Sequence, residues 1–183
     1  MPSEKLLQNC LSDVEVKAME LLHENFRRNA FFGTPWPKAK NPARLGKKLL
    51  YQSGDMADGY MSKIEGDSIH ITNTVAYAGV HNEGAEIPVT VNMKKYFWAM
   101  YYKASGAMTK TKSGKISASK RNVILNNEAE YWKSLALMKV GTKIKIPERR
   151  VFGEHPQMDA AIEKIIDRNV RESVQEMMNQ IKP

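Results

Sequence analysis

KIKIPERRVFG, residues 143–153, decides how the chain is read. Ile144 and Ile146 alternate with lysines, the pattern of a half-buried strand. Pro147 cannot donate to a ladder, so the strand ends there. Two arginines and Val-Phe-Gly follow, and then an apolar stripe opens: Met158, Ile162, Ile165, Ile166, Val170, Val174, Met177, Met178 and Ile181. That spacing predicts one long amphipathic helix over 156–181. The unit is therefore strand, charged turn, helix. Phe152 is the expected anchor of the turn. Arg149 and Arg150 are expected to be held on rigid backbone, for internal pairing or for contact with a neighbouring subunit.

Working outward, residues 3–28 carry a second long stripe (Leu7, Cys10, Leu11, Val14, Ala18, Leu21, Leu22, Phe26), with Ser3 placed to cap the helix. The following stretch to residue 48 holds three prolines and two glycines and predicts no regular element. Phe31, Phe32 and Trp36 are expected to pin it down. Ser53 or Asp55 is expected to cap a single helical turn. GYMSKIE and SIHITNTV, separated by a tight-turn signal, predict a β-hairpin. AYAGVHNEGAE predicts one helical turn stopped by Gly84.

Met93, Tyr96, Phe97, Met100, Tyr101 and Ala104 predict a helix over 93–104, and Tyr131, Trp132, Leu135 and Met138 a shorter one over 128–138. Between them, 105–127 is rich in Gly, Ser, Thr and Lys and predicts a mobile basic loop. The expectation is an α+β fold: one domain over 1–183, with a small, mostly antiparallel sheet packed by the N- and C-terminal helices and a helical hairpin inserted at 93–138. Burial of Leu21, Phe26, Ile162 and Ile166 is expected at the helix–sheet contact, so that Ile166→Asp would cost several kcal/mol.

The 183 residues carry a net charge of +8. Residues 36–50 hold five bases and no acid, and 103–121 hold six and no acid; the remaining 17 bases and 20 acids leave the rest at −3. Such segments attract polyanions or keep loops solvated. No apolar run approaches the roughly 18 residues that span a bilayer, which predicts no membrane partner. The first residues mix acids and bases, unlike a secretion signal. One cysteine, Cys10, fits a reducing site of synthesis.

Catalytic chemistry is hard to find. No two of His23, His70, His81 and His155 stand at metal-ligand spacing, there is no nucleophile elbow, and TKSGK lacks the first glycine of a phosphate loop. HNE at 81–83 reads as a polar turn end. Asp13, Glu15, Glu163 and Asp167 read as solvated helix faces. The expectation is no enzyme, no cofactor and no metal.

Three stretches in fixed order carry more information: LLYQSGDMADGY, YAGVHNEGA and IPERRVFG leading into the last helix. This order resembles the phage virion-morphogenesis family, the Mu-like tail-completion and head–tail joining proteins. The matching residues are Gly54 in its Ser-Gly turn, then Tyr77, Ala78, His81 and Gly84, then Ile146, Pro147, Arg149, Phe152 and Gly153. Gly33 and Trp36 resemble the family's early Gly-x-x-Trp segment. Met56 replaces the family's leucine, Arg150–Val151 sit inside the last motif, and the 93–138 hairpin is additional. The resemblance implies a non-catalytic structural subunit. It would form a ring-type homo-oligomer with contacts to neck, portal-side or tail-tube proteins, in the host cytoplasm during assembly and then in the virion. Lys110, Lys112, Lys115, Lys120, Arg121 and Arg150 are the candidate partner-binding residues. The alternative is a nucleic-acid-binding module using 36–50 and 103–121. With charge confined to loops and no base-reading element, such binding is expected to be weak and non-specific.

Overall fold

The computed structural model describes residues 2–51 and 53–181. The fold is α+β. In chain order the elements are α1 (Pro2–Arg28), β1 (Ala30–Phe31), β2 (Thr34–Pro35), a 3-10 turn (Pro42–Arg44), α2 (Asp55–Asp58), β3 (Tyr60–Glu65), β4 (Ser68–Asn73), α3 (Ala78–Glu83), β5 (Ala85–Pro88), α4 (Val91–Gly106), α5 (Lys120–Ala136), β6 (Lys143–Ile146) and α6 (Pro156–Ile181). The strands form three separate antiparallel pairs, β1–β2, β3–β4 and β5–β6. Among the described residues, no helix is long and apolar enough to cross a membrane.

The packing divides the chain into two compact units. The first comprises Met1–Trp36, Leu50–Glu83 and Arg149–Pro183, and the second Pro37–Leu49 and Gly84–Glu148. The expected insertion, 93–138, lies within the second unit, which also includes β5 and β6.

In the first unit α1 packs against α6 and against β3 and β4. Leu22 and Phe26 supply the buried apolar face of α1, and Phe26 meets Trp36 edge-on at 5.9 Å. The β3–β4 hairpin turns at Gly66, whose φ of +63° suits glycine, and its strands alternate half-buried and exposed as expected. Asp13 of α1 accepts hydrogen bonds from Asn169 (2.8 Å) and Arg168 (2.6 Å) of α6. The Asn169 bond, aided by Arg168, holds its carboxyl below the usual range. Asp13 is therefore a link between helices as well as a solvated charge.

The buried face of α6 also differs from the expected one. Met158, Ile165 and Asn169 are buried, Leu21 and Ile162 are half-buried, and Ile166 is 42% exposed. Ile165 and Ile166 point about 100° apart on a helix, so a continuous apolar stripe leaves open which side turns inward. The asparagine at 169 selects Ile165's side, because it bonds both Asp13 and the Ile165 carbonyl.

In the second unit α4 and α5 form the expected helical hairpin, with Phe97 stacked on Trp132 at 6.0 Å. The helix α5 starts at Lys120, eight residues before the expected 128, so the loop is shorter than 105–127. Ser119 caps it, its side chain accepting from the Asn122 amide. The early turns escaped the apolar pattern because the buried residue there is polar Asn122, while Val123 and Ile124 are exposed. Asn122 Nδ2 donates to the carbonyls of Thr109 and Ser117, and its Oδ1 accepts from the Thr109 amide. One side chain thereby closes the loop at its neck. The basic loop is thus organised rather than shapeless. Strand β6 has an unforeseen partner in β5. Gly84 precedes β5 with φ +74°, and an added Cβ would lie 2.9 Å from the Glu148 amide nitrogen.

Leu22 and Ile166 make contrasting probes. Leu22→Ala should cost about 2–5 kcal/mol as a cavity mutation. Ile166→Asp should cost less than about 1 kcal/mol because its side chain stays wet. Urea unfolding of the two variants distinguishes this packing from one in which Ile166 faces the core.

Candidate functional site

Three features could carry function: the 149–153 turn, the outer face of α6, and the cationic helical hairpin. The turn lies wholly in the first unit. Its backbone is held by side chains and carbonyls from distant parts of the chain. The Arg149 amide donates to the His81 carbonyl at 2.7 Å. Trp36 Nε1 donates to the Arg150 carbonyl at 2.7 Å. Asn25 Nδ2 donates to the Val151 carbonyl at 3.0 Å, while its Oδ1 accepts from the Phe32 amide. Asn82 Oδ1 accepts from the amides of Val151 (2.8 Å) and Phe152 (3.1 Å). Buried backbone groups need such partners, and here α1, α3 and the β1–β2 segment supply them.

The apolar anchor is Val151, which is fully buried; Phe152, the expected anchor, is only half-buried. Arg149 is buried and Arg150 exposed. The Arg150 guanidinium lies 5.6 Å from the centre of the Phe31 ring. Phe32 stacks on His155 at 4.2 Å, so the two phenylalanines do fasten their segment.

The other motif residues lie in turns and at element ends. Gly33 (φ +92°) turns the chain between β1 and β2. Gly54 (φ +91°) stands at the N-cap of α2, a place the sequence assigned to Ser53 or Asp55. Gly153 sits close against Arg150, where an added Cβ would lie 3.3 Å from the arginine Cδ. Tyr77 is exposed and meets His81 edge-on at 5.9 Å. Pro147 follows the last residue of β6. Asn25 and Asn82 are the functional-looking residues that sequence reasoning missed. Asn82 lay inside the HNE turn, but nothing in the spacing marked Asn25.

On α6 the residues left outside the core form a stripe: Ile166, Val170, Val174, Met177 and Met178 are all 40–54% exposed. They recur at i, i+4, i+8, i+11 and i+12, which is one helix face.

Lys110, Lys112, Lys115, Lys120 and Arg121 are all exposed in the second unit. A bridge between Lys110 and Ile116 folds the loop back on itself. The other basic segment belongs to the same unit: its 3-10 turn contacts α5. The second unit thus holds 17 Lys and Arg against 4 Asp and Glu, leaving the first unit with 11 against 16. Charge is segregated more sharply than the linear sequence suggested.

Among the described residues, no group of three His, Cys, Asp or Glu side chains could hold a metal ion. The chain matches no protein-family model, no curated protein and no solved structure.

His81 gives this region a pH signature. Burial, and then the charge of Arg149, hold its imidazole below the ordinary histidine value. The folded state thus resists a proton that the unfolded chain accepts. Its stabilising effect is full above about pH 6.5 and is lost as pH falls through the lowered value. The thermal midpoint should drop between neutral and mildly acid pH, and the drop should shrink in His81→Gln. An identical acid-side loss in the variant would assign it to other groups.

Proposed function

We propose that this chain is a non-catalytic structural subunit of a phage particle, of the tail-completion or head–tail joining kind. It works by self-assembly and by contacts to neck, portal-side or tail-tube proteins, in the host cytoplasm during assembly and then in the virion. The order of the Gly54, Tyr77–His81–Gly84 and Pro147–Arg149–Phe152 motifs supports the family reading. The observation that carries the assembly reading is the uncovered stripe of α6. Scattered exposed apolar residues are ordinary, but a contiguous face of two valines, an isoleucine and two methionines is a contact surface. Methionine suits such a face because its flexible side chain adapts to a partner.

Charge supports a second copy as one occupant. The first unit is net negative and the second strongly positive, so unlike units of neighbouring copies attract. A contact between unlike surfaces is heterologous, and when its rotation closes it makes rings. The buried turn at 149–153 gives this assembly a fixed framework, with Arg150 on its exposed side.

The test is the double variant Val170→Glu/Val174→Glu. Both positions are exposed, so folding should survive with little change in thermal midpoint. Wild-type protein should form larger species with rising concentration in sedimentation experiments, and the variant should remain monomeric. Particles assembled with the variant should accumulate unjoined heads and tails. A normal joining yield with the variant would contradict the role given to α6.

A further inference from the structure

Between Glu86 and Glu128 the chain has eight Lys and Arg residues and no acid. Helix α4 lies within this stretch and has two faces. One packs inward through Phe97 and Ala104. The other carries Trp98 and Tyr102, with half-buried Tyr101 at its border with the first, and the three rings touch one another. Trp98 stacks on Tyr102 at 6.0 Å with planes 28° apart, and it meets Tyr101 edge-on at 5.6 Å. Lys94 and Lys95 stand one turn before Trp98 on the same face, by the i, i+3 and i+4 spacing. Tyr102 is 65% exposed and Lys95 is exposed, while Lys94, Trp98 and Tyr101 are half-buried. Other rings make the aromatic α4–α5 contact, where Phe97 and Tyr96 meet Trp132.

We infer that Lys94, Lys95, Trp98, Tyr101 and Tyr102 form a binding site for single-stranded nucleic acid, with bases on the rings and phosphates on the lysines. Aromatic faces interleaved with cations are how unpaired strands are held without sequence preference. The charge is complementary on the scale of the unit as well as of the patch. The loop leaving the C-terminal end of α4 presents Lys110, Lys112 and Lys115 on a backbone closed by Asn122, and α5 then opens with Lys120 and Arg121. The phosphate track thus continues past the rings. A duplex would satisfy the lysines but offers no free base faces, and an acidic protein would leave the rings unused. The site is independent of the assembly reading, which rests on α6 of the other unit.

The experiment uses the full chain and a labelled oligothymidine of about 20 nucleotides, longer than one such site. Binding is followed by anisotropy and by tryptophan emission. The oligonucleotide should quench emission, and affinity should fall as salt rises. Trp98→Ala should weaken binding about 5- to 100-fold, the worth of one stacked base. Trp98→Phe should keep most of the affinity while losing the quench. Tyr102→Ala removes a ring that is mostly in water, so it tests the patch even if Trp98→Ala folds poorly. Unchanged affinity in Tyr102→Ala and Trp98→Ala would overturn the site. So would equal competition by a duplex of the same length or by polyglutamate, which would reduce it to a patch of charge.

Discussion

The first unit depends on one constraint: the backbone of residues 149–152 is withdrawn from water, and every polar group it buries must find a partner. Those partners come from α1 through Asn25, from the β1–β2 segment through Trp36, and from α3 through the His81 carbonyl and Asn82. Val151 at the centre has no exposed surface. An unpaired buried donor or acceptor costs about 1–3 kcal/mol, so these bonds contribute less by their own strength than by forbidding alternatives. These bonds fix how α1, the β1–β2 segment and α3 meet at this turn. Helix α6 begins just after this turn, and the Asn169–Asp13 bond chooses which of its sides faces α1.

That choice of side has a functional consequence. Asp13 and Asn169 hold the Ile165 face of α6 inward, which turns Ile166, Val170 and Val174 out. A polar pair between helices thus determines where the exposed apolar surface lies. In the second unit Asn122 acts similarly, closing the basic loop at its neck so that its lysines project from a fixed base. In both units a buried asparagine positions a surface that could meet another molecule.

The long helices and the β3–β4 hairpin were legible because apolar periodicity and turn chemistry report them directly. The α+β class followed from the same signals. What periodicity cannot report is which of two adjacent apolar residues faces in: Ile165 and Ile166, or Val151 and Phe152, are equivalent to any pattern count. Nor does it mark polar residues that belong inside. Asn25 and Asn82 bond backbone from far along the chain, Asn122 bonds the loop just before it, and each looks like a surface residue in isolation. The early start of α5 was hidden for that reason, since its first buried residue is Asn122. The cationic unit was half visible: two acid-free segments were evident, but only the fold unites 37–49 with 84–148. The pairing of Trp98 with Tyr102 was foreshadowed by their place off the apolar stripe.

The central claim, that the 149–152 turn is the buried junction of its unit, is tested most directly by hydrogen exchange at single-residue resolution. The Val151 amide, bonded to Asn82 inside the core, should exchange only through global unfolding, as slowly as the amide of Leu22 in α1. Exchange at Val151 as fast as at Gly66 and Asp67, the exposed tip of the β3–β4 hairpin, would contradict the account.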